Sequence, residues 1–311
     1  MRNESDIINC YNFMTPYILK VTGGTMLNFG YWNGKTVTIG QAQNELSMLV
    51  GKFAQLHSAK KVLDVGSGFS APAIYWKSVY RTLDITCLNL NFLQLKTSAG
   101  LLKRNENNGN IMNSKKMHQA LSFINHNTDS DLCLLNGTAK ILPLRNSCID
   151  RIIALESAQH FKPLIQFIQE SKRILRHDNG LLVVAMPVIT MAKSLSSTSK
   201  IPYFNRLGIL SLTWTSEHYE LEYVKSLITS SGFEIINIQH IGSHVYEPLA
   251  DYYAQNRTRI KDIILKERAP THLQNILYKV IERVVYNSAL KMKEASQKGF
   301  IDYVLIKAKI L

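Results

Sequence analysis

The chain has 311 residues, 46% hydrophobic and 19% charged, and its 36 Lys and Arg against 23 Asp and Glu give a formal charge of +13. That is the composition of a globular chain of one large domain or two smaller ones, and it excludes a disordered one. The basic excess admits an anionic partner, whether nucleic acid, a membrane surface or a phosphorylated metabolite, and selects none of them. The longest apolar stretch, around 181–188, is too short to span a bilayer. The N-terminus is polar, with Glu4 and Asp6, and has no signal-type apolar core. Cys10, Cys87, Cys133 and Cys148 form no CxxC pair and no cluster at zinc spacing. No metal site is expected, and the expected compartment is reducing and cytoplasmic.

In chain order, Thr38 with Gln41 three residues on forms a capping box. Ala42, Leu46, Leu49, Val50, Phe53 and Leu56 then recur at helical spacing. Residues 61–65 read as a short apolar strand ending at Gly66-Ser67-Gly68. Residues 84–90 read as a second strand and 92–104 as a helix. Residues 105–130, rich in asparagine, read as a loop-rich insertion. Strands are expected at 131–135, 149–155 and 181–185, each apolar on both faces as buried parallel strands are. Residues 190–215 read as irregular. A helix is expected over 217–230, ending at Ser231-Gly232, then a strand over 233–241. Residues 247–298 read as mostly helical, and 300–308 as a last strand. Strands alternating with helices predict an α/β fold with a doubly wound sheet.

The loop Asp64-Val65-Gly66-Ser67-Gly68 lies where a strand turns into a helix, and there glycine lets a ligand approach the backbone. Gly66-x-Gly68-x-x-Ala71 also fits the dinucleotide fingerprint. Against that, Asp64 is polar where dinucleotide folds carry an apolar residue, and the second strand ends in Asn89 where an acid would hold an NAD ribose.

The run Val62-Leu63-Asp64-Val65-Gly66-Ser67-Gly68 resembles motif I of the class I S-adenosylmethionine (SAM) methyltransferases. Further matches follow in order. Leu88 to Gln94 resembles the end of their second strand, and Gly137-Thr138-Ala139-Lys140-Ile141-Leu142-Pro143-Leu144 resembles their adenine loop. The segment from Asp150 through Glu156-Ser157-Ala158-Gln159-His160-Phe161 resembles their fourth strand. Ile174 to Gly180 and Ser231-Gly232-Phe233 resemble the turns before strands five and six. Met26 to Trp32 resembles the lid of a small-molecule subgroup that includes the rebeccamycin sugar O-methyltransferase and tocopherol-type enzymes. The resemblance covers roughly residues 10–245 and the final strand. Ser70 replaces the third motif I glycine, Thr138 replaces the adenine-loop Asp, and Met186-Pro187 stands where some sugar O-methyltransferases carry a catalytic Asp.

The resemblance implies a seven-stranded Rossmann-like sheet with its last strand antiparallel. It also implies a lid over 1–58, a SAM-binding core over 59–189, a substrate cap with strand six over 190–298 and a core strand over 299–311. SAM would be held by Asp64, Gly66, Gly68, Asn89, Gln94, Thr138, Ala139 and Glu156. Asp64 would take the ammonium by a charge-assisted hydrogen bond, unless it only caps the following helix. Tyr11, Tyr31 and Trp32 would meet the acceptor or face the sulfonium. Tyr203, Phe204, Trp214, Tyr246, Tyr252 and Tyr253 are candidate pocket walls. His160 is the candidate general base, because an imidazole can accept a hydroxyl proton near neutrality.

The expected reaction is methyl transfer to a small-molecule acceptor, foremost a hydroxyl oxygen. The alternatives are C- or N-methylation, an RNA or protein acceptor, an NAD(P)-dependent oxidoreductase, and an inactive SAM-binding protein. No nucleic-acid module and no transmembrane segment is expected, and a homodimer is possible.

Overall fold

The computed structural model describes residues 3–107, 132–190, 217–266 and 272–311. Residues 108–130 of the predicted insertion at 105–130, nearly all of the irregular stretch at 190–215, and Tyr203, Phe204 and Trp214 lie outside the described residues. Residues 105–107 instead continue the helix expected over 92–104.

Seven strands form one sheet in the order β3-β2-β1-β4-β5-β7-β6. They are β1 (Lys61–Val65), β2 (Asp84–Asn89), β3 (Leu132–Asn136), β4 (Arg151–Leu155), β5 (Leu181–Ile189), β6 (Phe233–His240) and β7 (Ile301–Ile310). The first five pair in parallel, and β7 runs antiparallel to both β5 and β6. The expected fold class and antiparallel last strand are therefore present. The strand order reverses between β1 and β4, and doubly wound sheets bind ligands in the crevice at that switch point.

The central strands are apolar on both sides because helices cover both faces. Leu63, Val65, Ile152, Leu182 and Val184 pack one core, closed by Phe167 and Ile168 of α5 (Leu164–Ile174) and Val224 and Ile228 of α6 (Leu221–Ser230). Val62, Ile85, Ile153, Val183 and Leu305 pack the other against Leu46, Val50 and Phe53 of α2 (Ile39–Phe53) and Trp76 of α3 (Ala71–Val79). The capping box of α2 forms as its sequence dictates, with Gln41 N–H donating to Thr38 Oγ1 at 3.2 Å.

Of the boundaries that differ from the sequence reading, two follow from tertiary pairing. The helix expected from 217 starts at Leu221. Glu217 N–H donates to the Gln159 carbonyl and Ile189 N–H to the Tyr219 carbonyl, so tertiary pairing holds 217–220 extended. Strand β5 runs on to Ile189, past the end of its β4 pairing at Ala185, because β7 pairs with it along its whole length. The extension carries Pro187 and Ile189 out over the C-terminal edge of the sheet, where a prolyl nitrogen removes no hydrogen bond to β4.

An N-terminal helix, α1 (Glu4–Thr22), lies across that edge, started by an Asn3–Asp6 capping box. The remaining α-helices among the described residues are α4 (Phe92–Asn107), α7 (Gly242–Gln255), α8 (Arg257–Lys266) and α9 (His272–Gln297). Among the described residues no helix is long and apolar enough to cross a membrane.

Candidate active site

A cavity of about 710 Å³ opens at the C-terminal ends of β1, β2 and β4, roofed by α1. Its floor is the glycine loop. Gly66 has φ 78° and Gly68 φ 57°, and the N–H groups of Gly66 and Ser67 both donate to the Leu88 carbonyl. A Cβ on Gly66 would overlap Ser157, so only glycine lets β1 and the segment after β4 close together. Ser70, in the place of the third glycine, also takes a left-handed φ of 58° and starts α3.

Of the residues read as cofactor-binding, Gly66, Gly68, Asn89, Gln94, Thr138, Ala139 and Glu156 all line this cavity. Asp64 does not. It is buried behind the loop on the α2 and α3 side of the sheet. Burial raises its carboxyl to about pKa 7, and its Oδ2 has no hydrogen-bond partner. Asn89 and Gln94 are fixed to each other, Asn89 Nδ2 donating to Gln94 Oε1 at 2.9 Å and to the Gly68 carbonyl at 3.1 Å. That leaves Gln94 Nε2 as a buried donor with no partner. Thr138 spends its hydroxyl on Glu4 of α1, at 2.7 Å, and Glu4 also pairs with Lys140 at 2.9 Å. Sequence reasoning missed Glu4, whose only local signal is an acidic first turn.

Glu156 sits just past β4 with a left-handed φ of 51°. Its carboxylate accepts the Phe29 N–H at 2.9 and 3.1 Å and the Tyr303 hydroxyl at 3.0 Å. Burial outweighs these donors and raises the group to about pKa 8.

On the same wall, His160 ends a single 3₁₀ turn (Ala158–His160), and its Nε2 lies 2.8 Å from the Tyr11 hydroxyl of α1. Burial, and then the Glu156 charge, hold the Tyr11 phenol above its usual pKa. Ile18, Pro187, Ile189, Met292 and Ile301, with the Tyr246 ring, give the cavity the apolar part of its lining.

Tyr31 and Trp32 are not brought to this cavity. The Tyr31 ring packs on His244, and buried Trp32 packs on Tyr252 with Ile39 and Ala42 around it. The backbone explains this: Tyr31 N–H donates to the Ala42 carbonyl and Trp32 N–H to the His244 carbonyl, which turns the lid segment into the α2–α7 interface. Tyr253 likewise packs with Ile260 and Ile281. Of the candidate aromatic walls among the described residues, Tyr246 alone lines the cavity.

The unpartnered Gln94 Nε2 on the cavity wall, together with two left-handed glycines on its floor, suits a ligand that brings hydroxyls against an open backbone. Residues 63–184 match the family model described as a methyltransferase domain. The chain is 24% identical over 236 residues to the erythromycin 3''-O-methyltransferase of Saccharopolyspora erythraea, covering 75% of this chain and 69% of that protein. Its fold matches the cyclopropane synthase MmaA2 from Mycobacterium tuberculosis (TM-score 0.73, 16% identity, 99% of this chain and 98% of that one). It also matches the geranyl diphosphate C-methyltransferase of Streptomyces coelicolor A3(2), solved with S-adenosyl-L-homocysteine (TM-score 0.66, 12% identity, 99% and 98%).

Proposed function

We propose a reaction for this chain, which is a class I SAM-dependent methyltransferase of small molecules: transfer of the methyl group to a hydroxyl oxygen, with His160 as proton acceptor. The observation that carries this reading is the 2.8 Å contact between Tyr11 and His160 on the cavity wall. The methyltransferase domain match sets aside the oxidoreductase reading of the glycine loop.

SAM supplies a methyl group bound to a positively charged sulfur. For its binding, Gly66 and Gly68 leave the backbone open, and Gln94 Nε2, held by Asn89, is a free donor for a ribose hydroxyl. Ala139 borders the adenine end. Thr138 contributes backbone there, since its hydroxyl is taken by Glu4. Asp64, one layer behind the loop, attracts the ammonium through an intervening water.

An alcohol is a poor nucleophile until its proton leaves. Tyr11 stays protonated, because burial and the Glu156 charge both oppose the phenolate. It donates to His160 Nε2 and keeps an oxygen lone pair for the acceptor's O–H. As the new C–O bond forms, the methyl carbon–sulfur bond would break with its electron pair going to sulfur, leaving S-adenosylhomocysteine, while the acceptor's proton passes to the Tyr11 oxygen and the Tyr11 proton passes to His160. The remaining contribution is orientation in a closed site. The apolar part of the lining suits an acceptor with a hydrocarbon body, and the curated relative is named for O-methylation.

The test is transfer from methyl-labelled SAM to a panel of small hydroxylated compounds. The label should appear in a methyl ether, and His160→Ala should cut turnover without weakening S-adenosylhomocysteine binding. Label confined to N- or C-methyl products, or undiminished turnover in His160→Ala, would overturn the reading.

A further inference from the structure

We propose that the Glu156 carboxylate is the counter-charge to the cofactor's sulfonium, so that the site prefers the charged methyl donor to the neutral demethylated product. This rests on the reading that Tyr11 and His160 face the acceptor, because the sulfur must then lie between the glycine loop and the segment 156–160. Glu156 is in that gap. Its neighbour Ser157 is packed on Gly66, His160 follows four residues on, and Glu156 itself faces the cavity.

The carboxylate is placed by the protein and left unbalanced. Two of its partners, the Phe29 N–H and the Tyr303 hydroxyl, are neutral donors that fix its orientation. Among the described residues no Lys, Arg or His side chain pairs with it. A carboxylate enclosed without a cation is costly, and a permanent cation in the same cavity offsets that cost. Methyl transfer removes the cation from sulfur, so the same charge that favours the donor ceases to favour the product. The rings of Phe29 and Tyr246 pack on each other and line the cavity beside Glu156, and an apolar lining there strengthens the attraction.

The test compares two ligands that share adenosine and amino-acid ends. Sinefungin carries an ammonium group where S-adenosylhomocysteine carries a neutral sulfur. Binding of each to the full chain is measured by calorimetry for the native protein, Glu156→Gln and Tyr303→Phe. The native protein should prefer sinefungin. In Glu156→Gln, which keeps acceptors for Phe29 and Tyr303, sinefungin should weaken roughly tenfold while the neutral ligand stays within about twofold. Tyr303→Phe removes one orienting bond but keeps the charge and should retain the preference. An unchanged ratio in Glu156→Gln overturns the proposal. So does equal affinity of the two ligands for the native protein, which needs no variant. Failure of the hydroxyl-acceptor reading would appear in the turnover of His160→Ala and leave this ratio untouched, so the two fail separately.

Discussion

Tyr11 and His160 stand 149 positions apart in the chain and 2.8 Å apart in space, their rings edge to face. One comes from the helix that roofs the cavity and the other from the turn after β4, so the pair forms only when α1 is in place. As a proton relay the two act as a unit. Tyr11→Phe and His160→Ala should each lower kcat by about 100-fold, and the double variant should be no slower than the worse single one. Steady-state kinetics on the three variants decides this; fully additive losses would mean separate roles.

Gly66 and Ser157 are in contact across β1 and β4, with no room for a side chain on the glycine. Gly66→Ala combines a left-handed φ of 78° with that overlap. It should cost about 2–4 kcal/mol of stability and abolish S-adenosylhomocysteine binding. Adding Ser157→Gly removes the overlap but not the backbone penalty, so roughly half the stability should return. Urea denaturation of the single and double variants measures the coupling.

The strands and the glycine loop were legible because their signals are local: short apolar runs, a capping box, glycines at a turn. The boundaries that moved are those set by tertiary pairing. Residues 217–220 have helical composition but are claimed by Gln159 and Ile189. Tyr31 and Trp32 sit in a lid-like motif, yet two backbone hydrogen bonds to α2 and α7 turn them away from the cavity. Glu4 and Tyr303 reach the site from 150 residues or so away on either side of β4, and nothing in their neighbours announces it.

Glu4 ties α1 to the adenine loop through Thr138 and Lys140, and Asn12 ties it to Asn91 at 2.8 Å. The Glu4 side chain is partly exposed, and such ion pairs add little to global stability. Its effect should therefore fall on access. Glu4→Ala should speed release of S-adenosylhomocysteine about 3–10-fold with less than about 1 kcal/mol change in unfolding free energy. Stopped-flow release rates beside denaturation curves separate the two quantities. A large stability loss with unchanged release would contradict α1 acting as a gate.

Asp64 gives the last prediction its sign. Burial raises its carboxyl from an ordinary 3.8 to about 7. A carboxyl whose folded pKa lies above its unfolded one contributes stability that is complete below the unfolded pKa and lost as pH rises through the folded one. The ligand-free chain should therefore weaken between about pH 4 and about pH 7, by at most about 4 kcal/mol from this group. Glu156, raised from 4.5 to about 8, adds a loss of the same sign over nearly the same range and about one pH unit beyond it. Asp64→Asn keeps the shape without the charge and should roughly halve the slope of the profile below pH 7. If Asp64 also balances the cofactor's ammonium, the same variant should bind S-adenosylhomocysteine more weakly at high pH than the native chain. Urea midpoints across the pH range, with and without that ligand, test both halves. A native profile as flat as that of Asp64→Asn would show that the carboxyl is not penalised by its burial.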